Sequence, residues 1–141
     1  MGEIPSADES VGLGHAYEAI ETNPADLCVG IVASGGLSHF VSDERLDHQL
    51  LAALRAGSEE QLRAIPRKLL NAGSSEIRNW IAVAAASKHL KLVWDEYIPV
   101  YRTPARTGCG LGLACWSWRG ILTCAFSLRW RPRVICAVSM R

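Results

Sequence analysis

No apolar run in this 141-residue sequence reaches the ~18 to 20 residues that a membrane-spanning helix needs; the longest, Gly120 to Leu128, is about half that. The amino-terminal stretch carries Glu3, Asp8 and Glu9 and lacks the positive start and apolar core of a secretory signal, so a cytoplasmic location is expected. Met1 to Ser6 fits the loose myristoylation pattern, but no basic patch stands beside it to strengthen an anchor, and no membrane partner is expected. None of the five cysteines, Cys28, Cys109, Cys115, Cys124 and Cys136, forms a C-x-x-C pair, and their number is odd. Both facts argue against a disulfide framework and a zinc ribbon, leaving buried free thiols. The four histidines, His15, His39, His48 and His89, show no H-x-H, H-x-x-x-H or H-E-x-x-H spacing, so no local zinc motif is present.

Acidic residues are also absent from one region. Residues 1–115 hold 10 Lys and Arg against all 14 Asp and Glu, whereas residues 116–141 hold five Arg, three Trp and no Asp, Glu, Lys or His. The overall charge of +1 therefore joins an acidic body to a basic tail. A hydrophobic share of 49% with 21% charged residues describes a globular chain long enough for one domain or part of a larger one.

The body reads as α/β. Residues 1–13 are polar and expected to be disordered or frayed, and Gly14 to Glu21 has the spacing of a short helix ended by Asn23-Pro24. Asp26 to Ala33 is a near-continuous apolar run, as expected of an interior parallel strand buried on both faces. After the Gly35-Gly36 turn, Ser42 or Asp43 can cap a helix with Leu46, Leu50, Leu51 and Leu54 on its apolar face and Gly57 at its end. Ser58 to Gln61 fits a capping box for a second, short helix ended by Pro66. A long helix is expected from Ser74 or Ser75 to about His89, with small residues suited to close packing, followed by a strand over Lys91 to Tyr101. Residues 117–141 show no convincing period and receive no structure. The fold expected is the carboxyl-terminal part of a layered α/β domain, with a mainly parallel or mixed central sheet flanked by helices.

Two residues stand out chemically. His39 follows Ser34-Gly35-Gly36-Leu37-Ser38 at the carboxyl end of the first strand, where open α/β sheets expose functional groups, and an imidazole suits proton transfer near neutral pH. Its blander role is a loop histidine bonded to a backbone carbonyl. Glu76 lies in the first turn of the long helix, where it complements the helix dipole or pairs with Arg78; alternatively it is a metal ligand, since two imidazoles and one carboxylate make the facial triad of non-haem iron(II) oxygenases. His15, His48 and His89 fit bland roles. Gly108 to Gly112 lacks the Lys-Ser/Thr of a phosphate-binding loop, and Val32 to Gly36 is not a G-x-S-x-G elbow.

Four segments in order, Ala33-Ser-Gly-Gly-Leu-Ser-His39-Phe40, Asp43-Glu44 with Leu46-Asp47, Ala72-Gly-Ser-Ser-Glu76-Ile-Arg-Asn-Trp80-Ile81, and Tyr97 to Pro104 followed by Thr107 to Gly110, resemble the class III extradiol ring-cleavage dioxygenases of the protocatechuate 4,5-dioxygenase β-subunit and gallate dioxygenase type. The likeness spans residues 14–116. It implies a non-haem iron(II) enzyme that opens catechol-type aromatic rings with O2, in which Glu76 matches the carboxylate iron ligand and His39 an acid/base beside the substrate. In that family both histidine ligands come from an amino-terminal half that this sequence does not contain, so Fe(2+) binding and activity are expected only with a missing half or second subunit. The alternative is a non-catalytic fragment or binding subunit that keeps the fold without the iron site. Residues 117–141 depart from the family and read as an atypical, non-homologous tail; cations and stacking rings suit nucleic acid or an acidic membrane, but an unstructured end is preferred and no nucleic-acid partner is expected.

Overall fold

The computed structural model describes residues 5–21, 30–117 and 134–138. Helix α1 (Ala7–Glu21) begins well before Gly14, in the stretch expected to be disordered. Its start is a capping box that the polar composition hides: the Glu9 N–H donates to Ser6 Oγ at 3.2 Å, and the Ser6 N–H donates back to Glu9 Oε2 at 2.5 Å. Ala7 and Val11 of the same helix are buried.

Strand β1 (Val32–Ser34) is short, and the beginning of the Asp26 to Ala33 run lies outside the described residues. It leads through Gly35-Gly36 into β2 (His39–Val41). Asp43 caps α2 (Glu44–Ala56) by accepting the Leu46 N–H at 3.1 Å, and Gly57 ends it in the left-handed conformation at φ 59°. Ser58 caps α3 (Glu59–Arg63) by accepting the Gln61 N–H. Short 3-10 turns at Arg67–Leu69 and Ala72–Ser74 precede α4 (Ile77–Ala86), which is shorter at both ends than its apolar period suggests. Strands β3 (Lys91–Tyr101), β4 (Thr107–Ser117) and β5 (Val134–Val138) complete the described chain.

The fold is mixed α/β, and its sheet is mixed too. The path runs β1-β5-β4-β2, with β3 also on β4; β4 is antiparallel to β2, β3 and β5, and β1 is parallel to β5. Antiparallel pairing therefore dominates, so of the mainly parallel or mixed sheet expected it is the mixed form that is seen, because β4 is a long central strand reached from β3 by a tight turn. Strand β1 is parallel as expected but forms an edge of the described sheet, and Val32 is 56% exposed rather than buried on both faces. The basic tail is no appendage at Val134–Val138: this β-branched apolar run sits between β1 and β4.

Alternation along β4 shows how the layers lie. Gly110, Gly112, Ala114 and Trp116 are buried, and Cys109, Leu111, Leu113 and Cys115 are half-buried. The glycines face the helices, where a Cβ on Gly110 would fall 2.1 Å from Asp47 Oδ2 and one on Gly112 3.0 Å from Leu37 and Trp80. A glycine-rich segment that looks like a loop is thus a strand against which helices pack at close range. The core comprises Trp80, Ile77 and Ile81 of α4, Leu50 and Leu51 of α2, and Leu37, Leu70 and Val11. The small face of α4 takes α1 directly: Gly14 lies so close that a Cβ would stand 2.2 Å from the Ala82 carbonyl oxygen.

Candidate functional site

The Gly35-Gly36 turn and the start of α4 meet at the carboxyl end of β1. Gly35 has φ 123°, a conformation open to glycine, and a Cβ there would lie 2.7 Å from Glu76 Oε2. Glycine is needed twice over, for the turn and for the approach of the carboxylate. The turn is fastened from α4 by Trp80 Nε1, which donates to the Gly35 carbonyl at 2.9 Å, and by Asn79 Nδ2, which donates to the Ser34 carbonyl at 2.9 Å.

His39 and Glu76, 37 positions apart, are brought together here, with His39 Nε2 2.7 Å from Glu76 Oε2. The same carboxylate oxygen accepts the Gly36 N–H at 2.9 Å. The imidazole is enclosed, its side chain 8% exposed, while Glu76 remains 44% exposed. A screened imidazole therefore touches a carboxylate that is fixed on one oxygen and open to solvent. Glu76 stands as the residue that precedes α4 and pairs with His39, not with Arg78.

Behind His39 lies a second polar cluster. Asp47 is fully buried; its Oδ1 accepts the Ser38 N–H at 2.9 Å, and its Oδ2 accepts the Ser38 hydroxyl at 2.7 Å and the Tyr97 hydroxyl at 2.8 Å. Ser38 Oγ in turn accepts the Asp43 N–H at 2.8 Å, joining the turn to the cap of α2. Burial raises the Asp47 carboxyl above its ordinary range despite these donors. Burial and the Asp47 acceptor together push the Tyr97 hydroxyl well above its ordinary value, so it stays a donor. His48 packs edge-on against the Tyr97 ring at 4.8 Å between centroids.

Sequence reasoning assigned no role to Asp47 and Tyr97, yet one signal was available. Positions 47, 50, 51 and 54 form one i, i+3, i+4, i+7 stripe on α2, and a carboxylate among three leucines on such a stripe must be buried and paired. The other histidines are engaged elsewhere: His15 Nε2 is 2.7 Å from Glu59 Oε1, and His89 Nδ1 is 3.6 Å from Glu18 Oε1. Among the described residues no three His, Cys, Asp or Glu side chains gather as a metal-binding group. Of the two-histidine, one-carboxylate set that the resemblance implies for Fe(2+), it assigns this sequence Glu76 alone, and His39 is not one of the ligands. No helix among the described residues is long and apolar enough to cross a membrane.

Comparisons with protein-family models, with curated proteins and with solved structures found no match to this chain.

Proposed function

We propose that this chain contributes the Glu76 carboxylate and the His39 imidazole to an extradiol-type site that opens catechol-type rings with O2, and that it does not hold iron(II) by itself. The observation that carries this reading is the 2.7 Å contact between a screened imidazole and a half-exposed carboxylate, on the segments that resemble the class III enzymes. Each residue suits its part. Glu76 is steadied by the Gly36 N–H and keeps solvent access, as a ligating carboxylate requires. His39 is held by the Ser38 turn and can take or give a proton at Nε2 without leaving its place.

Two imidazole donors would have to come from outside the described residues, from an amino-terminal half or a second subunit. The layered domain of the family, with a parallel part to its sheet, would be completed by the same partner. Two features support this: the unpaired edge of β1 among the described residues, and the half-exposed sheet face carrying Trp94, Ile98 and Val100. A cytoplasmic location accords with the free thiol of Cys109.

Anaerobic iron(II) titration of the chain, alone and mixed with a histidine-bearing amino-terminal fragment of a class III enzyme, tests the proposal. Iron binding and catechol-dependent O2 uptake are expected only in the mixture, and their absence in both samples overturns the reading. The second reading, a fragment that keeps the fold without the reaction, rests on the incomplete donor set. It is preferred if Glu76→Ala leaves every activity of the mixture unchanged.

A further inference from the structure

A separate cleft of about 610 Å3 opens between α1, β1 and the first turns of α4. Its walls are largely apolar, with Leu13 and Tyr17 from α1, Ile31 and Val32 at β1, and Val83 from α4. Arg78 lines the same cleft, and its Nη1 is buried without a hydrogen-bond partner. A guanidinium carries five donors and cannot shed its charge, so a buried N–H left unpaired beside an empty apolar space is a donor awaiting an acceptor. Asn79, next to it in the chain, donates through Nδ2 to the Ser34 carbonyl, and Arg78 Nη1 finds no acceptor there or elsewhere among the described residues.

We propose that this cleft binds a small monocarboxylate with an apolar body, its carboxylate accepting from the Arg78 guanidinium and its body lying between Leu13, Val32 and Val83. Carboxylate is the acceptor that matches the planar guanidinium fork, and the cleft falls within the size range of small-molecule sites. One negative charge is favoured over two. Glu9 stands on the rim of the same cleft, and its hydrogen bonds with Ser6 hold its carboxyl below the ordinary range, so a second ligand charge would face a fixed carboxylate. The site uses neither His39 nor Glu76 and needs no metal, so it stands or falls apart from the dioxygenase reading.

The test uses the full chain, with benzoate as the probe and benzamide as its neutral counterpart. The expected result is a saturable benzoate-induced shift of the methyl resonances of Leu13, Val32 and Val83, with benzamide at least about tenfold weaker. Arg78→Gln should weaken benzoate by a similar factor, and Arg78→Lys should restore part of it. Leu13→Glu, at a position already 48% exposed, adds a charge to the wall and should also weaken benzoate in a chain that melts normally. Equal affinities for benzoate and benzamide overturn the proposal. So do unchanged benzoate affinity in folded Arg78→Gln or Leu13→Glu, shifts confined to Gly35, Gly36 and His39, or no shift at all.

Discussion

Ser38 gives Asp47 two hydrogen bonds, one from its backbone N–H to Oδ1 at 2.9 Å and one from its hydroxyl to Oδ2 at 2.7 Å. With the Tyr97 hydroxyl on Oδ2, a single fully buried carboxylate ties together the turn before His39, helix α2 and strand β3. Asp47→Ala leaves these three donors without their acceptor and should cost about 3 to 5 kcal/mol, whereas Asp47→Asn, which keeps one acceptor, should cost about 1 to 3 kcal/mol. Urea unfolding of the two variants beside the parent chain measures both.

The same carboxyl has a pH signature. Its pKa is raised in the folded chain, chiefly by burial, so between the ordinary aspartate value and the raised one the folded state holds a proton that the unfolded state has released. The stability it contributes is therefore greatest at low pH and is lost as pH rises through the folded pKa. Asp47→Asn has no such proton. The stability advantage of the parent over Asp47→Asn should widen as pH falls from 7 toward 4, and unfolding midpoints across that range check the sign.

Tyr97 predicts the alkaline limb. Burial first, and then the bond to Asp47, raise its pKa, so above about pH 10, the ordinary tyrosine value, the unfolded chain releases a proton that the folded chain keeps. Stability should fall as pH climbs past that point, and Tyr97→Phe should flatten the fall while lowering stability at pH 7. Absorbance of the phenolate, followed with far-UV circular dichroism, should show Tyr97 ionising together with unfolding.

What the sequence disclosed and what it hid divide along physical lines. Helix α2 was legible because its leucine stripe, Asp43 cap and Gly57 stop are local signals that agree with one another, and β3 was legible because six of its eleven residues, Val93, Trp94, Tyr97, Ile98, Val100 and Tyr101, are β-branched or aromatic. The Ser34 to His39 turn and the Glu76 helix start were legible as candidate chemistry, but nothing local foretold their 2.7 Å meeting, which depends on how α4 lies across β1. Strand β4 was hidden because its glycines lower strand propensity, and their cause, the approach of Asp47, Leu37 and Trp80, is tertiary. The start of α1 was hidden by polar composition, although Ser6 and Glu9 spell a capping box.

The close approach at Gly110 makes that residue a sensitive point. A Cβ would fall 2.1 Å from Asp47 Oδ2, and the short Asp47 side chain cannot swing aside without surrendering its three hydrogen bonds. Gly110→Ala should therefore cost about 3 kcal/mol or more, the upper part of the overpacking range. At Gly112 the nearest atoms, on Leu37 and Trp80, stand at 3.0 Å, so Gly112→Ala should cost less, about 1 to 2 kcal/mol. The order of the two thermal midpoints is the measurement, and a reversed order contradicts the tight Asp47 contact.

Glu76 separates stability from chemistry. Its side chain is 44% exposed and among the described residues supports only the Gly36 N–H and the His39 ring, so Glu76→Ala should cost about 1 to 2 kcal/mol, less than emptying the Asp47 site. If Glu76 and His39 serve an extradiol site, their variants should fail differently in the mixture with a histidine-bearing fragment. Glu76→Ala should lower iron affinity by more than about a hundredfold, because a ligand is lost and not merely its support. His39→Ala should bind iron nearly as the parent does but lower kcat by about 100- to 10,000-fold, the range of a lost general acid or base. Iron titration and O2 uptake on the two variants give these values separately. A His39→Ala protein that keeps full kcat would leave its contact with Glu76 a structural bond in the turn.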